Sequence, residues 1–414
     1  MQCRYVVLGV IALISMAAGA QPATPGVSLA GTLAAARDNL EVGLARRVLQ
    51  AARADVTAAD HAPAPVLTAK TSQIDLQNGV GGGNLLRDKR VDKSVGVDWL
   101  WERGNKRELR TRQARSGAEA AQADLEELQV VQQLAAASAF YDLLAVQERI
   151  AQVEAISRSA EQLSATAARR VRAGDLPEQE AMRTGIEAQR AGADLQLALA
   201  ERQRAQLALA LLTGLTPPLG AEGAWPLPDN PTLVPVPSAR ADVRAAQHRL
   251  DAAQAALDGA LALRKSDVTL GSSIDHFPGT SNRLLEVRVQ VPLNGVLGSY
   301  GFQGEIGRAR AQLAQAQDQL AKTQRAADVD SQRLQNDLQA LAARARTYQR
   351  GIVPQARQVA AMAELAYSKG AMSLTDLIDA RRTLRNVLLE DIATRADHAR
   401  ALAAWELRNA PASP

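Results

Sequence analysis

Val91-Asp92-Lys93-Ser94-Val95-Gly96-Val97-Asp98-Trp99-Leu100-Trp101-Glu102-Arg103-Gly104-Asn105-Lys106-Arg107-Glu108-Leu109-Arg110-Thr111-Arg112 changes its period within a few residues. Val95, Val97, Trp99 and Trp101 fall on one face of an extended segment, and Asp92, Ser94, Gly96 and Asp98 on the other. An apolar face that ends in two tryptophans, opposite a polar face, is the pattern of a membrane-barrel strand. The aromatic rings sit at the lipid interface and the polar groups turn toward a wet lumen. After Gly104 the alternation stops, and residues 105–173 contain no proline and little glycine. At 1.5 Å per residue such a helix extends about 100 Å. No compact domain needs one that long.

The same grammar returns about two hundred residues later. Leu285, Val287, Val289 and Val291 alternate with Glu286, Arg288 and Gln290, and Val291-Pro292-Leu293-Asn294-Gly295 leads into Glu305-Ile306-Gly307-Arg308-Ala309-Arg310. The Arg110/Arg112 pair matches Arg308/Arg310 at an offset of 198, and the breaks at Gly174 and Gly370 match at 196. A repeat of half the chain means one structural unit used twice. Each unit reads as helix, strand hairpin, long helix, tight break, return helix.

The boundaries follow from proline, glycine and period. The first repeat covers 21–216, with one helix over 28–60, strands at about 66–77 and 91–101, and a helix pair at about 105–212. A Pro-rich linker occupies 217–237, and the second repeat covers 238–410 with strands at about 267–276 and 284–293 and a helix pair at about 305–408. Asn78 to Asn84 is a loop tip, Pro278-Gly279 a turn, and a bend is expected at Gly351 and Pro354.

Residues 1–20 predict a cleavable secretory signal. Arg4 precedes the apolar run from Val6 to Ile14, and Ala18-Gly19-Ala20 gives a small-x-small cleavage site before Gln21. The single cysteine, Cys3, lies inside that leader. The mature chain then has no thiol for a disulfide, a metal or a nucleophile. No other stretch is apolar for the eighteen or more residues that a membrane helix requires, so if the chain meets a bilayer, strands must do it. Aromatic residues make up 3% of the chain and apolar ones 47%, largely alanine, which suits long helices lying close together. The net charge is only +4, with bases interleaved among acids along the helices, which reads as a solvated helix face and not a nucleic-acid surface. His61, His248, His276 and His398 are scattered without a second ligand at metal spacing. No nucleophile-base constellation emerges. The expectation is no enzyme, no cofactor and no bound metal.

Four strands of about ten residues each have the length of tilted membrane strands, yet four cannot close a barrel, and an open edge in lipid leaves backbone groups unpaired. The chain must complete its cylinder with copies of itself. Two copies give eight strands, which side chains tend to fill; three give twelve, which can enclose water.

The two-unit layout resembles the TolC-like outer-membrane efflux proteins. So do the Gly104-Asn105-Lys106-Arg107 junction, the Arg-x-Arg pairs and, above all, Ala366-Tyr367-Ser368-Lys369-Gly370-Ala371-Met372-Ser373-Leu374-Thr375-Asp376-Leu377-Ile378-Asp379-Ala380. The resemblance implies a mainly α fold with long antiparallel coiled-coil helices and four membrane strands per chain. Three chains form a homotrimeric 12-stranded β-barrel set on an α-helical barrel. The location implied is the outer membrane of a Gram-negative bacterium, with the barrel in lipid and the helices in the periplasm. The partners are a periplasmic adaptor and an inner-membrane pump of the RND type. Trp101 to Arg107 looks like the CzcC-like heavy-metal branch, so heavy-metal cations are the expected cargo; a multidrug or type I secretion duct is the alternative. A periplasmic coiled-coil scaffold is the competing class, and only the strands discriminate against it.

By the same resemblance Asp376 and Asp379 ring the periplasmic entrance, Tyr367 helps to hold it shut, and Glu180 stands at the position equivalent to Asp376. Acids one turn apart, tripled by symmetry, would attract cations. First-turn acids favoured by the helix dipole are the plainer explanation. Met372 stands where some relatives carry a basic residue. Adaptor docking falls on the tips, Ala173, Gly174, Asp175 and Leu176 in the first unit and Lys369, Gly370, Ala371 and Met372 in the second. Left-handed helix caps are the plainer reading of both glycines.

Overall fold

The computed structural model describes residues 26–72, 74–84, 91–228, 240–277, 284–294 and 300–409. The expected leader and its cleavage site, the Pro278-Gly279 turn, Gly295 and residues 229–237 of the linker lie outside the described residues. The chain runs β1 (Gly26–Val27), α1 (Leu29–Arg37), α2 (Leu40–Ala59), β2 (Val66–Ser72), β3 (Asp92–Trp101), α3 (Lys106–Arg172), α4 (Glu178–Thr213) and β4 (Gly220–Ala221). The second half continues with α5 (Ala241–Ala262), β5 (Val268–His276), β6 (Leu284–Gln290), α6 (Gln303–Thr347), α7 (Val353–Ser368) and α8 (Leu374–Asn409).

Several boundaries differ from the sequence reading, each for a local reason. The helix expected over 28–60 is two helices, because Asn39 caps α2. Its side chain accepts the Val42 N–H at 3.0 Å while its amide donates to Gln132 at 2.9 Å and to the Leu212 carbonyl at 3.3 Å. β2 stops at Ser72 and not 77, since the Asp75 carboxylate accepts the N–H groups of Gln77 and Asn78 at 2.8 and 2.9 Å and turns the chain. β6 stops at Gln290 and not 293, just before Pro292, which has no ladder donor. The bend expected near Pro354 is a π turn over Tyr348–Ile352, in which the Val353 N–H reaches back to the Tyr348 carbonyl. The widened turn absorbs the bond that proline cannot make and the clash its ring would cause.

β2, β3, β5 and β6 form one antiparallel sheet in that order, so the two repeats join at β3 and β5 in its middle. β1 and β4, which the sequence reading did not foresee, pair in parallel at Gly26–Gly220 and Val27–Ala221. The register stacks Leu67, Val97, Ser272 and Val287 in one row across the sheet and Ala69, Val95, Ile274 and Leu285 in the next. That face is bare: Val95, Ile274, Leu285 and Val287 are 56%, 64%, 73% and 72% exposed. Trp99 and Trp101 end the same face beside the helices and are also exposed. Among the described residues no helix is long and apolar enough to cross a membrane.

Below the sheet α3 is the spine. α2 and α5 pack along its first half, α4 and α8 along its second, and α6 and α7 lie outside α5 and α8. More than half of the buried apolar side chains are alanines, as expected of closely spaced helices, and the largest cluster of bulky ones forms a waist. There Phe140, Tyr141 and Leu143 of α3 meet Leu209 of α4, Leu219 of the following strap, and Ala399 and Ala403 of α8. Trp225 stacks on Tyr141 at 6.1 Å and donates its indole N–H to Glu148 at 2.7 Å, while the Arg395 guanidinium lies 5.4 Å over its ring.

The interleaved charges are not simply a solvated face. Arginines of the second repeat reach acids on α3: Arg244 to Glu126, Arg249 to Asp124, Arg395 to Glu148 at 2.6 Å, Arg400 to Asp142, and Arg408 to Glu127 at 2.7 Å. Partly exposed pairs contribute little each, about 0–1 kcal/mol, so their larger effect is to fix the register of one repeat against the other.

Candidate functional site

The two helical breaks fold alike. At the first, the N–H groups of Gly174 and Asp175 reach the carbonyls of Val171 and Arg170 at 3.0 and 2.9 Å; at the second, Gly370 and Ala371 reach Tyr367 and Ala366 at 3.0 and 2.9 Å. Both are Schellman-type caps with glycine in the left-handed region, φ +79° and +73°. Leu176 and Met372 turn inward onto a small core of Ala363, Leu374, Leu377 and Ile378. Ala173, Gly174, Asp175, Lys369, Gly370 and Ala371 are the exposed part of the tips.

The acids differ between the repeats. Ser373 donates to Asp376 at 2.7 Å and accepts its N–H at 3.2 Å, which makes Asp376 the fourth residue of a capping turn. The residue equivalent to Ser373 in the first repeat is Pro177, which has no hydroxyl. Glu180 is left to lean on Arg183 at 3.7 Å. Asp379 faces Arg382 one turn on at 3.5 Å. Tyr367 accepts a hydrogen bond from Arg170 at 3.3 Å with the guanidinium 5.7 Å over its ring, tying the end of α3 to the end of α7. Asp376 and Asp379 thus sit near the tip with Tyr367 and Glu180, yet each has its own partner. Among the described residues no group of three or more His, Cys, Asp or Glu is placed to hold a metal ion.

No family model matches the chain. Among curated proteins it is similar to the cobalt-zinc-cadmium resistance protein CzcC of Cupriavidus metallidurans, 26% identical over 291 residues, or 68% of each chain. Among solved structures it superposes on a membrane protein from Pseudomonas aeruginosa with a TM-score of 0.78 and 18% identity, covering 92% of this chain and 93% of that one. The Campylobacter jejuni CmeC outer membrane channel gives a TM-score of 0.76 at 14% identity, covering 92% and 85%. The chain has the TolC-like outer-membrane channel fold. In that channel fold the sheet belongs to the outer membrane of a Gram-negative cell and the helices to the periplasm. Several of the solved proteins that share it are outer membrane channels.

Within the channel fold, the sequence reading missed the arginines that tie the helix pairs together near the tips. Arg183 of α4 donates to Thr375 of α8 at 2.9 Å, Arg382 of α8 forks onto Glu187 of α4, and Arg385 lies 3.7 Å from Asp194. Arg381 reaches Ser159 of α3 at 3.1 Å and Glu364 of α7 at 3.0 Å. The Arg382 fork holds the Glu187 carboxyl below the ordinary glutamate range. A cavity of about 250 Å³ opens beneath these bridges, walled by Ile156, Leu163, Ala191 and Leu388. Only the acid half of the signal was present in the sequence: Glu180, Glu187, Asp194 and Glu201 recur every seven residues along α4, and the fold brings an arginine to each.

Proposed function

We propose that this chain is the outer-membrane duct of a tripartite efflux system, a passive conduit driven by an RND-type pump through a periplasmic adaptor, with heavy-metal cations as its cargo. The observation that carries the duct is the four-stranded sheet. One face is bare and apolar, and β2 and β6 each offer an unpaired edge among the described strands. Lipid can cover the face, and the edges of two further copies can satisfy the backbone, giving twelve strands around water. The cargo rests on the likeness to a cobalt-zinc-cadmium resistance protein and on the junction at Trp101 to Arg107.

In this reading the Asp376 and Asp379 carboxylates of three chains line the periplasmic entrance, with Tyr367 and Glu180 beside them. The glycine tips meet the adaptor. No soft metal ligand is needed, because the pump selects and the duct conducts. Deleting the gene tests the cargo. The strain is expected to lose tolerance to cobalt, zinc or cadmium and to keep its tolerance to dyes and detergents; the reverse pattern would assign a multidrug duct.

A further inference from the structure

The sheet's second face carries an ion pair laid sideways. Asp98 of β3, Gly271 of β5 and Arg288 of β6 stand in one row. Arg288 reaches over the glycine to Asp98 at 2.6 Å, and Thr68 of β2 donates to the same carboxylate at 2.9 Å. All four strands are joined by this brace. Gly271 is its seat: a Cβ there would clash with Asp98 Oδ1 and lie 3.2 Å from an Arg288 nitrogen. Without the seat the guanidinium could not lie flat over two strand spacings of about 4.8 Å each.

Taking the barrel of the previous section as given, this face lines the lumen. By register its ionisable residues on the described strands are Asp92, Asp98, Asp275 and Glu286 against Lys70 and Arg288, four acids less two bases, or −2 per chain. We infer that the Asp98–Gly271–Arg288 brace sets the charge preference of the barrel. It folds the arginine of β6 against the wall, so that the open lumen is acidic and favours cations. An unbraced Arg288 would point three positive groups toward the axis, where low-dielectric walls focus their field.

The test reads local potential by thiol labelling in intact cells, in full-length protein with Cys3→Ser as background. Gln290→Cys reports the lumen face beside the brace, and Val289→Cys, 62% exposed on the apolar face, reports the lipid side. The probes are a quaternary-ammonium and a sulfonate methanethiosulfonate reagent. At Gln290→Cys the cationic reagent is expected to react faster. Asp98→Asn is expected to lower the cation-to-anion rate ratio about fivefold, which corresponds to a potential change near one kT acting on opposite charges. Asp98→Asn with Arg288→Gln, again −2 per chain, is expected to restore it. Gly271→Ala leaves the charge unchanged and is expected to lower the ratio by unseating the guanidinium. An unmoved ratio in both Asp98→Asn and Gly271→Ala overturns the inference, as does a response to charge alone with none to Gly271→Ala. If Val289→Cys labels as fast as Gln290→Cys, the barrel reading falls and this inference with it.

Discussion

Gly174 and Gly370 show how little of a residue's role here is contact. A Cβ on either would find nothing within 4 Å, so a substitution is strained only through the left-handed backbone. Gly370→Ala is therefore expected to cost about 1 kcal/mol and to lower the thermal midpoint in detergent, while Gly370→Asn costs less, because asparagine tolerates that region. The long-helix starts make the matching point. Asn105 and Phe302 both precede their helix in the left-handed region, at φ 57° and 59°. Asparagine advertises that geometry and phenylalanine does not, so only the first was legible. Glu148 is a different kind of residue, shared by Trp225 and Arg395 at the waist. Arg395 is only 15% exposed at its side chain, so Glu148→Ala leaves a mostly buried cation with one acid partner, Asp391, in place of two. A loss of about 2–3 kcal/mol in denaturant unfolding is expected. Burial holds the Asp391 carboxyl above its ordinary range, with Arg395 opposing the shift.

Among the elements, the α4–α8 bridge is the part of the candidate gate with a defined pH dependence. The Arg382 fork keeps the Glu187 pKa below that of an ordinary glutamate. The glutamate's contribution is therefore complete above that ordinary value and lost as pH falls through the lower folded value. Spin labels on α4 and α8 are expected to keep a constant separation from pH 7 down to about 4.5 and to spread below it. With Glu187→Gln the spread population is expected at pH 7. A separation unchanged by both pH and substitution would remove the bridge from the gate. These elements were the most readable part of the chain. Long runs without proline and with little glycine define α3 and α6, and period two defines β3 and β6. The capping turn at Ser373 was partly readable, whereas the α4–α8 bridges were not, because a charge on a helix face reveals its partner only when the helices are placed side by side.

At the scale of the whole molecule, the repeat was legible from matching offsets, but its assembly was not. Nothing in the sequence shows that β3 and β5 pair to merge the two hairpins, or that arginines of the second repeat read the acids of α3. Both are long-range pairings, fixed by the fold and not by local preference. The merged sheet has a bare apolar face and two edges, and neither is tolerable in water. The account therefore stands on self-assembly in lipid. Native mass spectrometry of protein extracted from outer membranes, with the detergent stripped in the gas phase, tests this most directly. A species of three chains that appears only after detergent extraction is the expected result; a single chain released into buffer by osmotic shock would contradict the account.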